Sequence, residues 1–94
     1  MFEMTLGKNN EVFIAGRFDA SQVEKAKSVL GKVTGPTTVD FKDLEYISSA
    51  GLGVLLGTQK RLSESGGGLR LRNLNKHILD VFKYAGFDKI FMIE

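Results

Sequence analysis

EYISSAGLGVLLG, residues 45–57, places two adjacent serines before an apolar run that three glycines interrupt. Serine is a preferred residue at a helix N-cap, so the second helix of the chain is expected to begin at Ser48 or Ser49. The leucines that follow are spaced to share one helical face, which should pack against a sheet: Leu52, Leu55, Leu56 and Leu62. Glycine costs about 1 kcal/mol relative to alanine inside a helix, so the glycines need a structural or functional reason.

The rest of the chain alternates between strand patterns and helix patterns. Strands are predicted at Phe2–Leu6, Glu11–Gly16, Thr37–Phe41, Leu69–Leu74 and Lys89–Glu94. Apolar residues at helical spacing predict a first helix, with Val23, Ala26, Leu30 and Val33, and a third, with Ile78, Leu79, Phe82 and Ala85. Ser21 and Glu24 match a capping box before the first helix. Asn75 can cap the third helix, and Gly86 can end it.

This order, β-β-α-β-α-β-α-β, predicts an α/β fold. Strands that alternate with helices favour a mixed, largely parallel sheet with helices packed on it. The chain has 94 residues, so residues 1–94 are expected to form a single domain.

Composition excludes several classes of function. The chain has no cysteine, which removes disulfides and thiol nucleophiles and fits a reducing cytoplasm. Its net charge of +2 is too small to indicate nucleic acid, and no apolar run approaches the ~20 residues of a membrane span. The single histidine, His77, is interpreted as a surface residue. Because no catalytic or metal-binding spacing is evident, neither an enzyme nor a cofactor is expected.

The start of the second helix is the candidate functional site. Helix N-termini above the carboxyl ends of parallel strands form the functional edge of α/β sheets, and their free N–H groups attract anions. Ser49 would be exposed there on a rigid scaffold. The simpler interpretation, which the residues alone leave open, is an ordinary N-cap serine on a packed helix.

Three motifs in order resemble the STAS domain family, in particular the bacterial anti-sigma factor antagonists. The central motif is VDFKDLEYISSAGLGVLLGTQKRL, Val39–Leu62, which is similar to the family's strand, serine-containing turn and second helix. GRFD, Gly16–Asp19, and the tail Gly66–Glu94 are similar to the motifs before and after it. The resemblance therefore covers nearly the whole chain and implies the STAS fold.

The resemblance also implies a partner-switching function. Such proteins bind a kinase-type anti-sigma factor of the GHKL class and release a sigma factor; phosphorylation of one serine or threonine switches them off, and a PP2C-type phosphatase resets them. The motif places Ser49 on the phosphorylated position, with Ser48 as the alternative. Asp19 matches the family acid near that site. The expected partner-binding residues are Asp19, Ser48, Ser49, Ala50, Gly51 and Gly57.

Some features depart from the family pattern or stay open. Ser48 stands where the family usually has Asp, and the final helix found in many members is not present by Glu94. An alternative function is a STAS scaffold or adaptor that is never phosphorylated, in a signalling or lipid-transport complex. Of the helix glycines, Gly57 is expected to face outward near the partner surface and Gly53 to be tightly packed.

Overall fold

The computed structural model describes residues 1–94 and has the predicted order of strands and helices. Its elements are β1 Phe2–Leu6, β2 Glu11–Phe18, α1 Val23–Leu30, β3 Pro36–Ile47, α2 Ser49–Glu64, β4 Gly68–Arg72, α3 Lys76–Tyr84 and β5 Met92–Ile93. Two short 3-10 turns, Ala20–Gln22 and Phe87–Lys89, precede α1 and β5. The predicted α/β class with a mixed, largely parallel sheet is confirmed.

The five strands lie side by side in their chain order, β1-β2-β3-β4-β5. β1 and β2 are antiparallel, and every later pair is parallel. Asn9 and Asn10 in the β1–β2 turn have φ of 59° and 57°. Asparagine tolerates this left-handed region better than most residues, and tight hairpin turns need it.

The helices pack on one face of this sheet. Alternate strand residues such as Val12 and Leu71 are fully buried in a single apolar cluster of 21 residues, to which all three helices contribute. Leu55 of α2 and Phe82 of α3 have no exposed surface. No helix is both long and apolar enough to cross a membrane.

The opposite face of the sheet carries polar side chains joined by ion pairs. The Arg72 guanidinium on β4 donates to Glu11 Oε2 at 2.8 Å and to Asp40 Oδ2 at 3.1 Å. Burial would raise the pKa of the Asp40 carboxyl, but hydrogen bonds from the Lys42 N–H and from the Asn73 and Arg72 side chains outweigh it. The pKa of Asp40 is therefore lowered, and the carboxylate stays ionised.

Several predicted boundaries were wrong. β2 continues to Phe18 and β3 to Ile47, because the two strands stay paired through two register shifts. The last strand is only Met92–Ile93, since a 3-10 turn occupies the residues before it. α1 ends at Leu30, so Val33 is buried but lies outside the helix, and Ala85 is exposed beyond the end of α3.

The predicted capping box is also wrong. Gln22 is the N-cap of α1 and its side chain forms no capping bond, because the chain enters the helix through the 3-10 turn. Asp19 caps that turn instead. The caps of the other helices are confirmed: Ser48, one of the two serines considered, caps α2, and Asn75 caps α3, where its side chain accepts from the Ile78 N–H at 2.9 Å.

Candidate functional site

Ser48 joins the start of α2 to the end of β2. Its hydroxyl accepts from the Gly51 N–H at 3.2 Å and donates to the Phe18 carbonyl at 3.1 Å. The Ser48 N–H donates to the same carbonyl at 2.9 Å. The Ser48 side chain is half-buried, and its hydroxyl both donates and accepts a hydrogen bond. The sheet therefore sets the orientation of the helix start.

Ser49 is the first residue of α2 and is exposed. Its hydroxyl forms no hydrogen bond within the chain, in contrast to the hydroxyl of Ser48. The first N–H groups of a helix have no partner inside the helix and carry part of its positive dipole. An oxygen of Ser49, or a group attached to it, therefore lies in a field that favours negative charge. Ala50, the next residue, is half-buried.

Asp19 lies on the turn beside this helix start. It follows Phe18 directly, and its 3-10 turn contacts α2. The Asp19 carboxylate accepts from the hydroxyl of Ser21 and from the Ser21 N–H at 3.0 Å. The hydroxyl bond is the main reason that the pKa of Asp19 lies below its ordinary value. An ionised carboxylate is thus held at the start of a turn that contacts α2.

Gly51 allows this arrangement by bringing α2 close to β2 and β3. A Cβ atom at Gly51 would lie 2.9 Å from Ile47 Cγ1, 3.0 Å from Phe18 Cγ and 3.1 Å from the Phe18 carbonyl oxygen. Because Gly51 is buried, it supports the site from beneath. Of the glycines in this part of α2, Gly51 is therefore the one whose position has no room for a side chain.

Gly53 and Gly57 lie on the opposite, exposed side of α2. A Cβ atom at either position would meet no other atom within 4 Å. The prediction that Gly57 faces outward is confirmed, and the prediction that Gly53 is tightly packed is wrong. Val54 and Leu55, together with Leu52, already fill the side of the helix that faces the sheet.

The structure adds neighbours that sequence reasoning missed. Phe18 supplies the carbonyl that accepts hydrogen bonds from Ser48. Every residue has a backbone carbonyl, so the sequence does not indicate which one will act as this acceptor. Arg17 stacks over the ring of Tyr46, with 4.4 Å between the guanidinium carbon and the ring centroid. These two residues pair across β2 and β3, just before the site. No group of three or more potential ligand residues is placed to hold a metal ion.

Comparison with known proteins assigns the family. The family model described as "Mlab, STAS domain" matches residues 5–94. The chain belongs to the STAS domain family. This STAS domain is also 35% identical over 83 residues to the anti-sigma-B factor antagonist of Bacillus subtilis, an alignment covering 85% of the chain and 76% of that relative. The resemblance to anti-sigma factor antagonists is therefore confirmed.

Solved structures share the fold. The crystal structure of the Thermotoga maritima protein TM1081 has a TM-score of 0.80 at 23% identity and covers 98% of this chain and 84% of its own. The anti-sigma factor antagonist SpoIIAA in its unphosphorylated form has a TM-score of 0.67 at 25% identity, covering 89% and 83%. Phosphorylated SpoIIAA of Bacillus has a TM-score of 0.70 at 22% identity, covering 100% and 91%.

Proposed function

We propose that this STAS domain is an anti-sigma factor antagonist. It binds a kinase-type anti-sigma factor of the GHKL class in the cytoplasm, which frees a sigma factor, and phosphorylation of Ser49 ends the binding. A PP2C-type phosphatase restores the binding form. The observation that carries the proposal is the exposed, unbonded hydroxyl of Ser49 at the first position of α2. The contact surface around it consists of Asp19, Ser48, Ala50 and Gly57, with buried Gly51 beneath.

The geometry favours Ser49 over Ser48 as the phosphate acceptor. A phosphate on Ser48 would remove its bond to the Phe18 carbonyl and weaken its cap on the Gly51 N–H. Serine and aspartate are both good N-caps. Ser48 can therefore replace the family aspartate without loss of the cap, and it does not need to be a second target.

The phosphate would act on the interface rather than on the fold. It adds about −1.5 to −2 charges. At a helix N-terminus such charge is stabilising by ~0.3–1 kcal/mol, so the domain stays folded. Inside an interface a dianion must be desolvated, which costs several kcal/mol unless cations surround it. Asp19, at the start of the turn that contacts α2, adds its own negative charge to this surface.

The test is phosphate transfer from the kinase-type anti-sigma factors of the source organism. Each is incubated with this domain and ATP, and mass spectrometry locates the phosphate. We expect phosphate on Ser49 in the wild type and in Ser48→Ala, and none in Ser49→Ala. Ser49→Ala should bind the same anti-sigma factor even with ATP present, and Ser49→Asp should bind it more weakly.

Two outcomes would contradict the proposal. Phosphate confined to Ser48 would move the switch to the capping residue. Absence of phosphate with every such kinase, together with stable binding to another complex, would support the unphosphorylated scaffold or adaptor instead.

A further inference from the structure

A groove runs between α1 and α2 on the outer side of the helical layer. It is open to solvent and has a volume of about 360 Å³. The residues that line it are Lys27, Leu30, Gly31, Gly53, Val54, Gly57, Thr58 and Arg61. Leu30 and Val54 are buried at its base, whereas Gly53 and Gly57 add no side chains to its α2 wall. The groove is therefore a shallow channel with an apolar base.

The only charges that line this groove are positive. Lys27 projects from α1 and Arg61 from α2, and neither forms a salt bridge within the chain. Arg61 Nη1 and Nη2 donate to the carbonyls of Val33 at 3.2 Å and Leu30 at 2.8 Å. The guanidinium is thus held in place against the end of α1. Two cations with no carboxylate between them complement an acidic occupant.

The groove is continuous with the site at the helix start. Ser49, Gly53 and Gly57 are four residues apart along α2, so they follow one another on the same face. All three are exposed. A protein that covers Ser49 and extends along α2 therefore meets the two glycines next and Arg61 one turn later, while Lys27 lines the groove from α1.

Nothing in the free domain offsets the cost of these glycines. Each costs about 1 kcal/mol of helix propensity relative to alanine, and neither position packs against another atom. Small residues let two helices approach toward the lower end of the 8–10 Å range of interaxial distances. The bare wall of the groove suits a second helix packed closely against α2.

We propose that this groove receives an α-helix of the anti-sigma factor, which places an acidic side chain between Lys27 and Arg61. The inference rests on the proposed function and names the part of the partner that binds beyond Ser49. Phosphorylation at Ser49 then blocks one end of a surface whose other end is the groove.

The experiment measures affinity for the anti-sigma factor that the phosphorylation assay identifies, by calorimetric titration without ATP. Gly57→Leu fills the groove and Lys27→Glu reverses one charge. We expect each to weaken binding at least tenfold. The melting temperature should not fall for Gly57→Leu, because a Cβ atom there meets no other atom within 4 Å. It should fall only slightly for Lys27→Glu, which places a carboxylate in the last turn of α1. Ser63→Leu and Lys60→Glu are matched controls on α2 outside the groove and should bind like the wild type.

The outcomes separate this inference from the proposed function. Wild-type binding that both groove variants retain would overturn the groove assignment and remove Gly57 from the contact surface, while the switch at Ser49 would still stand. Failure of the wild type to bind any anti-sigma factor would overturn both. If Gly57→Leu abolishes a dimer seen by analytical ultracentrifugation, the occupant of the groove is a second copy of this chain. If inorganic phosphate binds the domain when no partner is present, and Lys27→Glu abolishes that binding, the occupant is a small anion. Either result would show that the proposal is wrong.

Discussion

Replacing Gly51 with alanine tests how the site is built. The added methyl would lie 2.9 Å from Ile47 Cγ1, closer than real Cβ contacts occur, and 3.0 and 3.1 Å from Phe18 Cγ and the Phe18 carbonyl oxygen, closer than nearly all of them. Phe18 has no exposed surface, and its carbonyl already accepts two hydrogen bonds from Ser48. This neighbour therefore cannot move away without loosening the start of α2.

The expected change in the free energy of unfolding of Gly51→Ala is the difference between two opposing contributions. Overpacking of this kind costs ~1–3 kcal/mol, and the upper part of the range applies because one contact is with backbone. Alanine returns about 1 kcal/mol of helix propensity. The net effect of Gly51→Ala is then a loss of about 1–2 kcal/mol, which lowers the melting temperature of a domain this size by roughly 5–15 °C.

The assay is thermal and urea unfolding followed by circular dichroism, with Gly57→Ala as the matched control. Gly57→Ala adds the same methyl to the same helix in open space, so it should stabilise the domain by up to about 1 kcal/mol. A Gly51→Ala variant that melts at or above the wild-type temperature would refute the close approach of α2 to the sheet.

Three further predictions concern the cap, the core and the polar face. Ser48→Ala should lower the free energy of unfolding by about 1 kcal/mol in urea titrations, while Ser49→Ala should change it little; equal effects would contradict the different roles of these hydroxyls. Leu55→Ala, at a site with no exposed surface, should cost ~2–5 kcal/mol by the same assay, and a loss well under 1 kcal/mol would refute its burial. The pKa of Asp40 is lowered from its usual 3.8, so its contribution is present above about pH 5 and is lost as the pH falls through the folded-state pKa. Asp40→Asn should therefore be less stable at pH 7, with a deficit that shrinks as the pH falls below the usual 3.8; a constant deficit would exclude the ionised carboxylate as the cause.

Much of the fold could be predicted because each element carries its own pattern. The apolar spacing in α2 and α3, the alternation in β4 and the cap at Asn75 are local signals that tertiary packing reinforced. The strand ends were missed because pairing between β2 and β3 continues through register shifts, and no residue type marks such pairing. Ser21 and Glu24 fit a capping box, but in the structure the Ser21 hydroxyl donates to the Asp19 carboxylate instead of capping α1.

The position of the site could be predicted from the sequence, but its hydrogen bonds and packing could not. Helix-start chemistry and the family motif both indicated Ser48 and Ser49. Which serine is the cap depends on the Phe18 carbonyl, and its position is known only once β2 and β3 are paired. The glycines show the same limit: spacing placed Gly53 and Gly57 on one face, but only packing shows that Gly51 is the one in close contact.

The order of the strands in the sheet has a consequence for how the chain folds. Each strand pairs with the strand that precedes it in the chain, and none must be inserted between two that are already paired. During synthesis the sheet can therefore grow at one edge as each strand emerges, starting from the β1–β2 hairpin. The closure of each new pair spans one crossover rather than the whole chain, which keeps the loop-closure entropy of every step small. By this route the Ser48 bond to Phe18 can form as soon as β3 pairs with β2, because Ser48 directly follows β3 and Phe18 ends β2.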